Sequence, residues 1–250
     1  MTLPRVLVTR AAHQNASLSA LLRQCGYIPA AVPLIRMEGV LDRSSKAQLW
    51  KNIQASTWVV FTSVNTVTFF MKAGGSAAKL IHTSVAAVGE KTKNALEAEG
   101  IQVDLVPKRY NAETLADALI AETAPGTEIF LPKSRQARPV LFNRLHAAGR
   151  SVRELALYDT VVNETSARTL QQELRHPHLF AVTFASPSSV SAFTQLAEEK
   201  PEELKLPVVC IGPTTSEKAV QAGFQHVNTA EPYTAEGLLH QLEHIRKGET

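Results

Sequence analysis

The sequence predicts an α/β protein built from two doubly wound parallel sheets, and three observations support this fold class. Short runs of continuous apolar residues recur along the chain, as in strands that are covered on both faces. Longer segments with the apolar spacing of amphipathic helices lie between these runs. The chain also repeats itself, because Phe61-Thr62-Ser63 returns as Phe184-Ala185-Ser186 at a spacing of 123 residues.

The repeat keeps this spacing across most of the chain. Gly89-Glu90-Lys91-Thr92 returns as Gly212-Pro213-Thr214-Thr215, and Tyr110-Asn111-Ala112-Glu113 returns as Tyr233-Thr234-Ala235-Glu236. The units of a solenoid are only about 20–50 residues long, so this repeat is a duplicated unit close to the size of a domain. Two similar lobes form a cleft, and we expect a ligand to bind there.

Each repeat unit contains five predicted strands. They are 6–9, 31–35, 58–62, 85–88 and 103–106 in the first unit and 129–131, 152–161, 181–185, 208–211 and 226–229 in the second. Strands that alternate with helices form parallel sheets with helices on both faces. Five strands fit the flavodoxin-like arrangement, whose ligands bind in the loops at the carboxyl ends of the strands.

The helices and linkers complete this organisation. An apolar helical stripe from Leu18 to Cys25 is followed by Gly26, and a second stripe is followed by Gly100, so we expect both glycines to end helices. Two polar segments, 36–45 and 159–168, interrupt the alternation and are candidate linkers. Because they lie within the repeat units, the lobes are not expected to coincide with the repeats.

The composition excludes several classes of function. A net charge of +3 and a pI of about 8.9, without an arginine-rich tract, argue against nucleic-acid binding. Cys25 and Cys210 are expected to be reduced thiols. The N-terminal apolar run is too short for a signal peptide, and no stretch approaches the roughly 20 apolar residues of a membrane span. We therefore expect a cytoplasmic protein that binds no membrane.

Five of the predicted strands run into Ser, Thr or Gly residues at the start of a helix. Unpaired N–H groups and the helix dipole favour anions at such positions. N-capping alone explains any single one of them, but several in both units favour an anion-binding surface. The candidate residues are Thr62, Ser63, Gly89, Thr92, Ser186, Ser188 and Thr214.

Basic residues accompany these strand ends. Arg10 follows the first strand, and Lys133 holds the same place in the repeat, with Arg138 close behind it. Solvated surface charge is the usual role of Lys and Arg. A charge that recurs at the same strand end in both units favours a role in binding.

Nucleotide, metal and triad motifs are missing from the sequence. There is no Walker A run and no Gly-x-Gly-x-x-Gly after a strand. His240 and His244 have helical spacing, and His176 and His178 flank a proline, but neither pair has a third ligand nearby, so we expect surface histidines and no metal. No nucleophile elbow or Ser-His-Asp order appears.

Tyr158 is the candidate acid. It stands at the end of the apolar run Leu155-Ala156-Leu157, where its repeat counterpart is Ile35. One interpretation is a tyrosine packed at a domain junction with its hydroxyl bonded. The other is a weak acid that faces the cleft.

These features together resemble the uroporphyrinogen-III synthase family. The segments that carry the resemblance, in the order of the family, are 6–10, 61–63, 87–92, 157–160, 184–189, 210–215 and 233–238. The resemblance implies two flavodoxin-like lobes joined by a two-stranded linker. It gives one lobe of 1–34 plus 164–250, a second of 42–157, and linkers at 35–41 and 158–163.

The resemblance also implies a reaction. Members of the family close the linear tetrapyrrole hydroxymethylbilane into uroporphyrinogen III, losing water and inverting the last pyrrole ring, without a cofactor or metal. In this chain Tyr158 would assist departure of the hydroxyl group. The Ser, Thr and Gly candidates would hold the eight substrate carboxylates, and Arg10, Lys133 and Arg138 would add charge.

Two other functions remain open from the sequence. One is a non-catalytic bilobal protein that binds a small anion, since the fold does not fix the function. The other is an enzyme acting on a nucleotide or sugar phosphate, which the missing glycine loops disfavour. In each case we expect a monomer.

Overall fold

The computed structural model describes residues 2–11 and 15–248. Within them the strands, β1 to β10 in chain order, are Arg5–Val8, Ile28–Ala31, Ile35–Gly39, Trp58–Phe61, Ser84–Ala87, Glu128–Ser134, Ser151–Val162, Leu179–Phe184, Val208–Cys210 and Val227–Thr229. The helices, α1 to α10, are Asn15–Gln24, Arg43–Gln54, Val64–Lys72, Glu90–Ala98, Ala112–Glu122, Val140–Ala147, Ala167–Leu174, Pro187–Leu196, Pro213–Gln221 and Ala235–Lys247. None of these helices is both long and apolar enough to cross a membrane.

The chain forms two compact units. Unit 1 comprises Met1–Arg36 and Val161–Thr250, and unit 2 comprises Met37–Thr160. The chain leaves unit 1 within β3 and returns to it within β7. Each unit therefore contains strands from both halves of the sequence repeat.

The sheet of unit 1 has the strand order β10-β9-β8-β1-β2. Its neighbouring strands are parallel, with Val8 opposite Ala31 in the β1–β2 pair. Numbered by their order within unit 1, these strands read 2-1-3-4-5 across the sheet, which is the flavodoxin-like order. The predicted α/β class with parallel sheets is confirmed.

The sheet of unit 2 has the order β3-β7-β6-β4-β5. Four of its strands correspond to strands of unit 1 at the 123-residue offset: β6 to β1, β7 to β2, β4 to β8 and β5 to β9. The fifth repeat strand is reduced to one parallel bridge between Leu105 and Ala86. In its place at the other edge, unit 2 has β3 beside β7.

Two strand predictions were wrong in detail. The predicted strand 31–35 is the end of β2 followed, after a gap, by the start of β3 in the other sheet. Pro33 lies in that gap and has no N–H to donate to a ladder. The predicted strand 103–106 pairs only locally, because the carboxylate of Asp104 accepts from the Val85 N–H at 2.8 Å where a longer ladder would continue.

Both sheets are covered on both faces, which explains the continuous apolar runs. In β1, Val6 and Val8 pack into one core cluster, and Leu7 packs into the cluster on the other face. In β4, Phe61 and Val60 are divided in the same way. Successive strand residues point to opposite faces, so a strand buried on both sides carries apolar residues at successive positions instead of alternate ones.

The predicted helix-ending glycines have the left-handed backbone that favours this residue. Gly26 follows α1 with φ +75°, and Gly100 follows α4 with φ +73°. Their repeat counterparts, Gly149 and Gly223, have φ +77° and +101°. A residue with a Cβ is strained in this conformation, so all four turns depend on glycine.

Arg5 of β1 and Glu173 of α7 form a two-pronged ion pair at 2.6 and 2.8 Å. The bond from Arg5 is the main cause that holds the pKa of Glu173 below its usual value. A carboxylate with a lowered pKa stabilises the fold above its unfolded pKa, and that stabilisation is lost as the pH falls through the folded pKa.

We expect Glu173→Gln to lower the free energy of unfolding at pH 7 by about 1–2 kcal/mol. The difference from the wild type should shrink as the pH falls below about 4, where the carboxylate becomes protonated. Urea unfolding at several pH values measures both effects. Glu198→Gln is the control, because Glu198 and Arg175 pair at 2.8 Å while both are largely exposed. Equal losses in the two variants would contradict the prediction.

Candidate active site

Two serines begin equivalent helices at the carboxyl ends of the sheets. Ser63 caps α3 with φ −163° and ψ 156°, and Ser186 caps α8 with φ −165° and ψ 155°. Each Oγ accepts from the backbone N–H three residues later, at 3.1 Å from Thr66 and 3.2 Å from Ser189. Their hydroxyl groups therefore cap these two helices.

Gly89 and Gly212 begin the next helix in each unit, α4 and α9. Neither helix has a side-chain cap. The first N–H groups of a helix have no partner within it, so these two helix ends offer backbone donors to a ligand.

An exposed tyrosine lies over each of these glycines. Tyr110 is 62% exposed, and a Cβ at Gly89 would come within 2.7 Å of its ring. Tyr233 is 64% exposed, and a Cβ at Gly212 would stand at an ordinary 3.6 Å from its ring. Only Gly89 must therefore be glycine for its tyrosine to pack.

The threonine candidates differ in exposure. Thr92, in the first turn of α4, is 3% exposed, so its side chain packs inside unit 2. Thr214, in the first turn of α9, is exposed, and Thr62 and Ser188 are half-buried. The structure thus gives Thr62, Ser188 and Thr214 more access to a ligand than it gives Thr92.

The two repeat-related cations have different surroundings. Lys133, on β6, forms an ion pair with Glu154 on the neighbouring strand β7, at 2.8 Å. Arg10 follows β1 in unit 1, and among the described residues its buried Nε has no hydrogen-bond partner. The repeat counterpart of Glu154 is Ala31, which carries no charge. The charge of Lys133 is therefore balanced, and that of Arg10 has no equivalent carboxylate.

A cavity in unit 2 lies beside Lys133. Thr62, Lys133, Glu154 and Arg138 line it together with apolar residues of β6 and α6. Arg138 is exposed. The structure thus brings three of the predicted binding residues to the rim of one concavity.

Tyr158 lies near the end of β7 and is 6% exposed. Its ring stacks on Phe69 of α3, with ring centroids 4.8 Å apart and an angle of 12° between the planes. Its Oη lies 3.2 Å from the Oγ of Ser63. Two of the predicted site residues, Tyr158 and Ser63, are therefore in direct contact.

A bulge in β7 turns Tyr158 toward α3. Lys133 pairs with Ala156, but the next residue, Ser134, pairs with Tyr158, so Leu157 is an extra residue on β7. Leu157 and Tyr158 consequently pack into the same core cluster although they are neighbours in the chain. Without the bulge, the alternation of a strand would place them on opposite faces.

Sequence reasoning missed Phe69, Thr66, Glu154 and Tyr110. The repeat of Tyr110 as Tyr233 was a usable signal for one of them. The stack of Phe69 and the ion pair of Glu154 depend on the neighbouring elements α3 and β6, which the local sequence does not specify.

The histidine pairs lie on the surface, as predicted. In α10, the Nε2 atoms of His240 and His244 are 3.2 Å apart, and the rings of His176 and His178 are 5.8 Å apart. Within residues 2–11 and 15–248, no group of three His, Cys, Asp or Glu residues could hold a metal ion.

Comparison with known proteins identifies similar chains. The family model described as "Uroporphyrinogen-III synthase HemD" matches residues 16–240. "Porphyrin biosynthesis protein HemD" of Ruminiclostridium josui is 27% identical over 98% of this chain. This chain spans only about half of that protein, since the match covers 49% of its length. "Putative uroporphyrinogen-III synthase" of Methanothermobacter thermautotrophicus is 29% identical, covering 94% of this chain and 96% of that protein.

A solved structure supports the fold. The crystal structure of uroporphyrinogen-III synthetase from Helicobacter pylori aligns with 97% of this chain and 100% of its own, with a TM-score of 0.66 and 16% identity. At that identity the likeness concerns the fold.

Proposed function

We propose that this chain, which belongs to the uroporphyrinogen-III synthase family, converts hydroxymethylbilane into uroporphyrinogen III. The reaction is a cyclisation with loss of water and inversion of the last pyrrole ring. The match over residues 16–240 is the observation that carries the proposal. We further propose that the protein acts as a monomer in the cytoplasm.

Substrate carboxylates are proposed to bind at the helix N-termini. Because Ser63 and Ser186 already cap their helices, backbone N–H groups at the uncapped starts of α4 and α9, behind Gly89 and Gly212, are the better donors. The exposed hydroxyl groups of Thr214, Thr62 and Ser188 add side-chain donors. Thr92 contributes by shaping the first turn of α4.

Positive charge is proposed to come first from Arg10. Arg10 is half-buried, and among the described residues its Nε has no hydrogen-bond partner. A hydrogen bond from its guanidinium to a substrate carboxylate joins two charged groups and is stronger than a neutral one. Arg138 contributes an exposed guanidinium. Lys133 contributes less, because a substrate carboxylate must compete with Glu154 for its ammonium group.

Tyr158 is proposed to assist the loss of the substrate hydroxyl group. The phenol donates a hydrogen bond, or its proton, to the departing oxygen, which leaves as water. The lone pair of the adjacent pyrrole nitrogen drives this departure and forms an azafulvene, so no redox step is needed. The substituted carbon of the last pyrrole ring attacks the azafulvene and forms a spiro intermediate. The bond from that carbon to its original methylene bridge then breaks and gives a second azafulvene. Closure at the free carbon of the inverted ring loses a proton, which restores the phenol.

The remaining contribution of the protein is positioning. The free substrate closes spontaneously to the type I isomer, so the enzyme must hold the chain in the shape that favours inversion of the last ring. Contacts to many carboxylates restrict that shape before the reaction begins.

The purified protein should therefore convert hydroxymethylbilane into the type III isomer. Chromatographic separation of the oxidised porphyrins measures the ratio of type III to type I. A product containing only type I would overturn the proposal. If the protein also bound hydroxymethylbilane without converting it, the non-catalytic binding function would be the better account.

Tyr158→Phe is expected to lower kcat by about tenfold with little change in KM. This is less than the roughly 10²–10⁴-fold typical of a positioned acid, because the pyrrole nitrogen already expels the hydroxyl group. The phenylalanine keeps the stack on Phe69, so thermal unfolding should confirm an intact fold. Full activity in this variant would remove the catalytic role of the hydroxyl.

A further inference from the structure

The Oγ of Ser63 is the centre of three contacts within unit 2. The backbone N–H of Thr66 donates to it at 3.1 Å, the Oγ1 of Thr66 lies 2.9 Å away, and the Oη of Tyr158 lies 3.2 Å away. Ser63 thus links the start of α3 to the proposed acid. With the N–H bond made, its hydroxyl has one proton to donate and room to accept one more.

The proton of Thr66 fixes the direction of these bonds. Thr66 is 1% exposed, and among the described residues its Oγ1 has no hydrogen-bond partner other than Ser63. If Ser63 donated to Thr66, the proton of Thr66 would be buried without an acceptor, which costs free energy. Thr66 therefore donates to Ser63, and the proton of Ser63 remains for Tyr158.

This direction leaves the proton of the phenol unused. Tyr158 accepts from Ser63, and Ser63 is its only hydrogen-bond partner in the part of the chain that the structure describes. Tyr158 is 6% exposed against 1% for Thr66, so a proton without a partner costs less on the phenol, which can donate it to a ligand. If the direction were reversed, the phenol would spend its proton on Ser63 and could not offer it to a substrate.

Phe69 fixes the plane of the same ring. Ser63, Thr66 and Phe69 are spaced three residues apart, so they lie along one side of α3. The stack with Phe69 holds the tyrosine ring, and the bond from Ser63 holds its oxygen. One helix thus sets both the position and the donor direction of Tyr158.

A comparison of Ser63 with its repeat counterpart Ser186 shows that a serine can cap a helix without the bonds from Thr66 to Ser63 and from Ser63 to Tyr158. Ser186 caps α8 with the same backbone geometry, yet its neighbour Ser189 donates to the Ser186 carbonyl oxygen at 2.7 Å. The Oγ of Ser186 lies 2.9 Å from the Oγ of Ser188 and donates to the Oγ of Ser189 over a longer 3.4 Å, so the direction of that contact is opposite to the one in unit 2. The counterparts of Phe69 and Tyr158 are Ala192 and Ile35. The directed chain is therefore specific to unit 2.

We propose that Ser63 is a positioning residue for the cyclisation: through the chain Thr66 to Ser63 to Tyr158, it keeps the phenolic proton directed away from the protein and available to the departing hydroxyl. The catalytic part of this inference rests on the proposed function. The coupling of Ser63 and Tyr158 in unfolding experiments tests the bond between them without it.

The test measures kcat, KM and thermal unfolding for four changes. Ser63→Ala should lower kcat about three- to fivefold, within the range of one neutral hydrogen bond, with KM changed less than about twofold. Ser63→Thr keeps the hydroxyl and should restore most of kcat. In a Tyr158→Phe background, Ser63→Ala should have no further effect on kcat. Asp42→Ala, which removes the cap of α2 in the same unit, should lower stability and leave kcat unchanged.

The proposal fails if Ser63→Ala lowers kcat equally with and without the Tyr158 hydroxyl, or if Asp42→Ala lowers kcat as much. Should Ser63→Ala not fold, Thr66→Val is the alternative variant. It removes the donor that directs Ser63 and should lower kcat about two- to threefold. Unchanged kcat in Thr66→Val would then overturn the proposal.

A double-mutant cycle on urea unfolding separates the two proposals. If Ser63 and Tyr158 are hydrogen-bonded, the loss of stability caused by Ser63→Ala should be smaller in the Tyr158→Phe protein than in the wild type. This coupling is expected whether or not the protein makes uroporphyrinogen III. Equal losses in the two backgrounds would contradict the bond, whereas coupling without type III product would leave the bond intact and reject the proposed function.

Discussion

Arg10→Gln is expected to lower kcat/KM for hydroxymethylbilane by about 10- to 150-fold. A hydrogen bond between charged groups contributes about 1.5–3 kcal/mol, and each 1.36 kcal/mol is a factor of ten in rate. Arg10 is half-buried, its Nε has no hydrogen-bond partner among the described residues, and the repeat gives it no counterpart of Glu154, so a substrate carboxylate would be the charged partner of its guanidinium. Steady-state kinetics on the purified variant measure the loss.

The counterpart cation in unit 2 provides the comparison. Lys133→Gln should lower kcat/KM by less than about threefold, because its ammonium group is already paired with Glu154. Glu154→Gln should lower KM about two- to fivefold, since it leaves Lys133 available to the substrate. If Arg10→Gln and Lys133→Gln had equal effects, the assignment of the main charge to Arg10 would be wrong.

The repeat offers a second way to neutralise Arg10 while keeping it. In unit 1, Val8 of β1 pairs with Ala31 of β2, and in unit 2 the equivalent residues Leu131 and Glu154 pair in the same way. Ala31→Glu therefore places a carboxylate in unit 1 at the position that Glu154 holds in unit 2. Because Ala31 is exposed, this change should fold, and it should lower kcat/KM nearly as much as Arg10→Gln. In the presence of Arg10→Gln, Ala31→Glu should have little further effect.

Gly237→Ala is expected to lower the free energy of unfolding by about 3 kcal/mol, at the upper end of the range for overpacking. A Cβ at this position, in the first turn of α10, would lie 1.9 Å from the carbonyl oxygen of Pro232 and 3.0 Å from its carbonyl carbon. Both atoms are backbone, so no side chain can move to relieve the contact. The repeat counterpart is Thr114 in α5, which shows that a helix start does not itself need glycine.

Urea unfolding of Gly237→Ala measures this effect. Gly39→Ala is the control, since a Cβ there meets ordinary contacts beginning at 3.6 Å, and it should change the free energy of unfolding by less than about 1 kcal/mol. An unchanged unfolding midpoint for Gly237→Ala would show that the chain around Pro232 relaxes without cost.

The features that the sequence predicted are those that local chemistry decides. Continuous apolar runs predicted strands buried on both faces, and Val6, Leu7 and Val8 do divide between two cores. Ser63 and Ser186 were expected at helix starts because a serine oxygen accepts the N–H of the first turn, and both do so. Such signals lie within four residues of chain, so they can be recognised without knowing the tertiary structure.

The features that the sequence did not predict depend on register. The alignment of β6 with β7 decides whether Glu154 faces Lys133. The stack of Tyr158 on Phe69 requires α3 to lie against the end of β7. Pro33 gave a usable warning that the strand predicted at 31–35 was two elements. The extra residue Leu157 gave none, because its apolar side chain fits a regular strand equally well.

The bulge at Leu157 lets β7 vary in length by one residue without moving the tyrosine. If Leu157 were removed, the tyrosine would follow Ala156 in a regular strand and would stay on the face of the sheet that it now shares with Leu155. An extra residue in a regular strand would instead turn every later side chain to the opposite face. A one-residue gap at this point in an alignment of distant relatives is therefore compatible with the same position of the tyrosine.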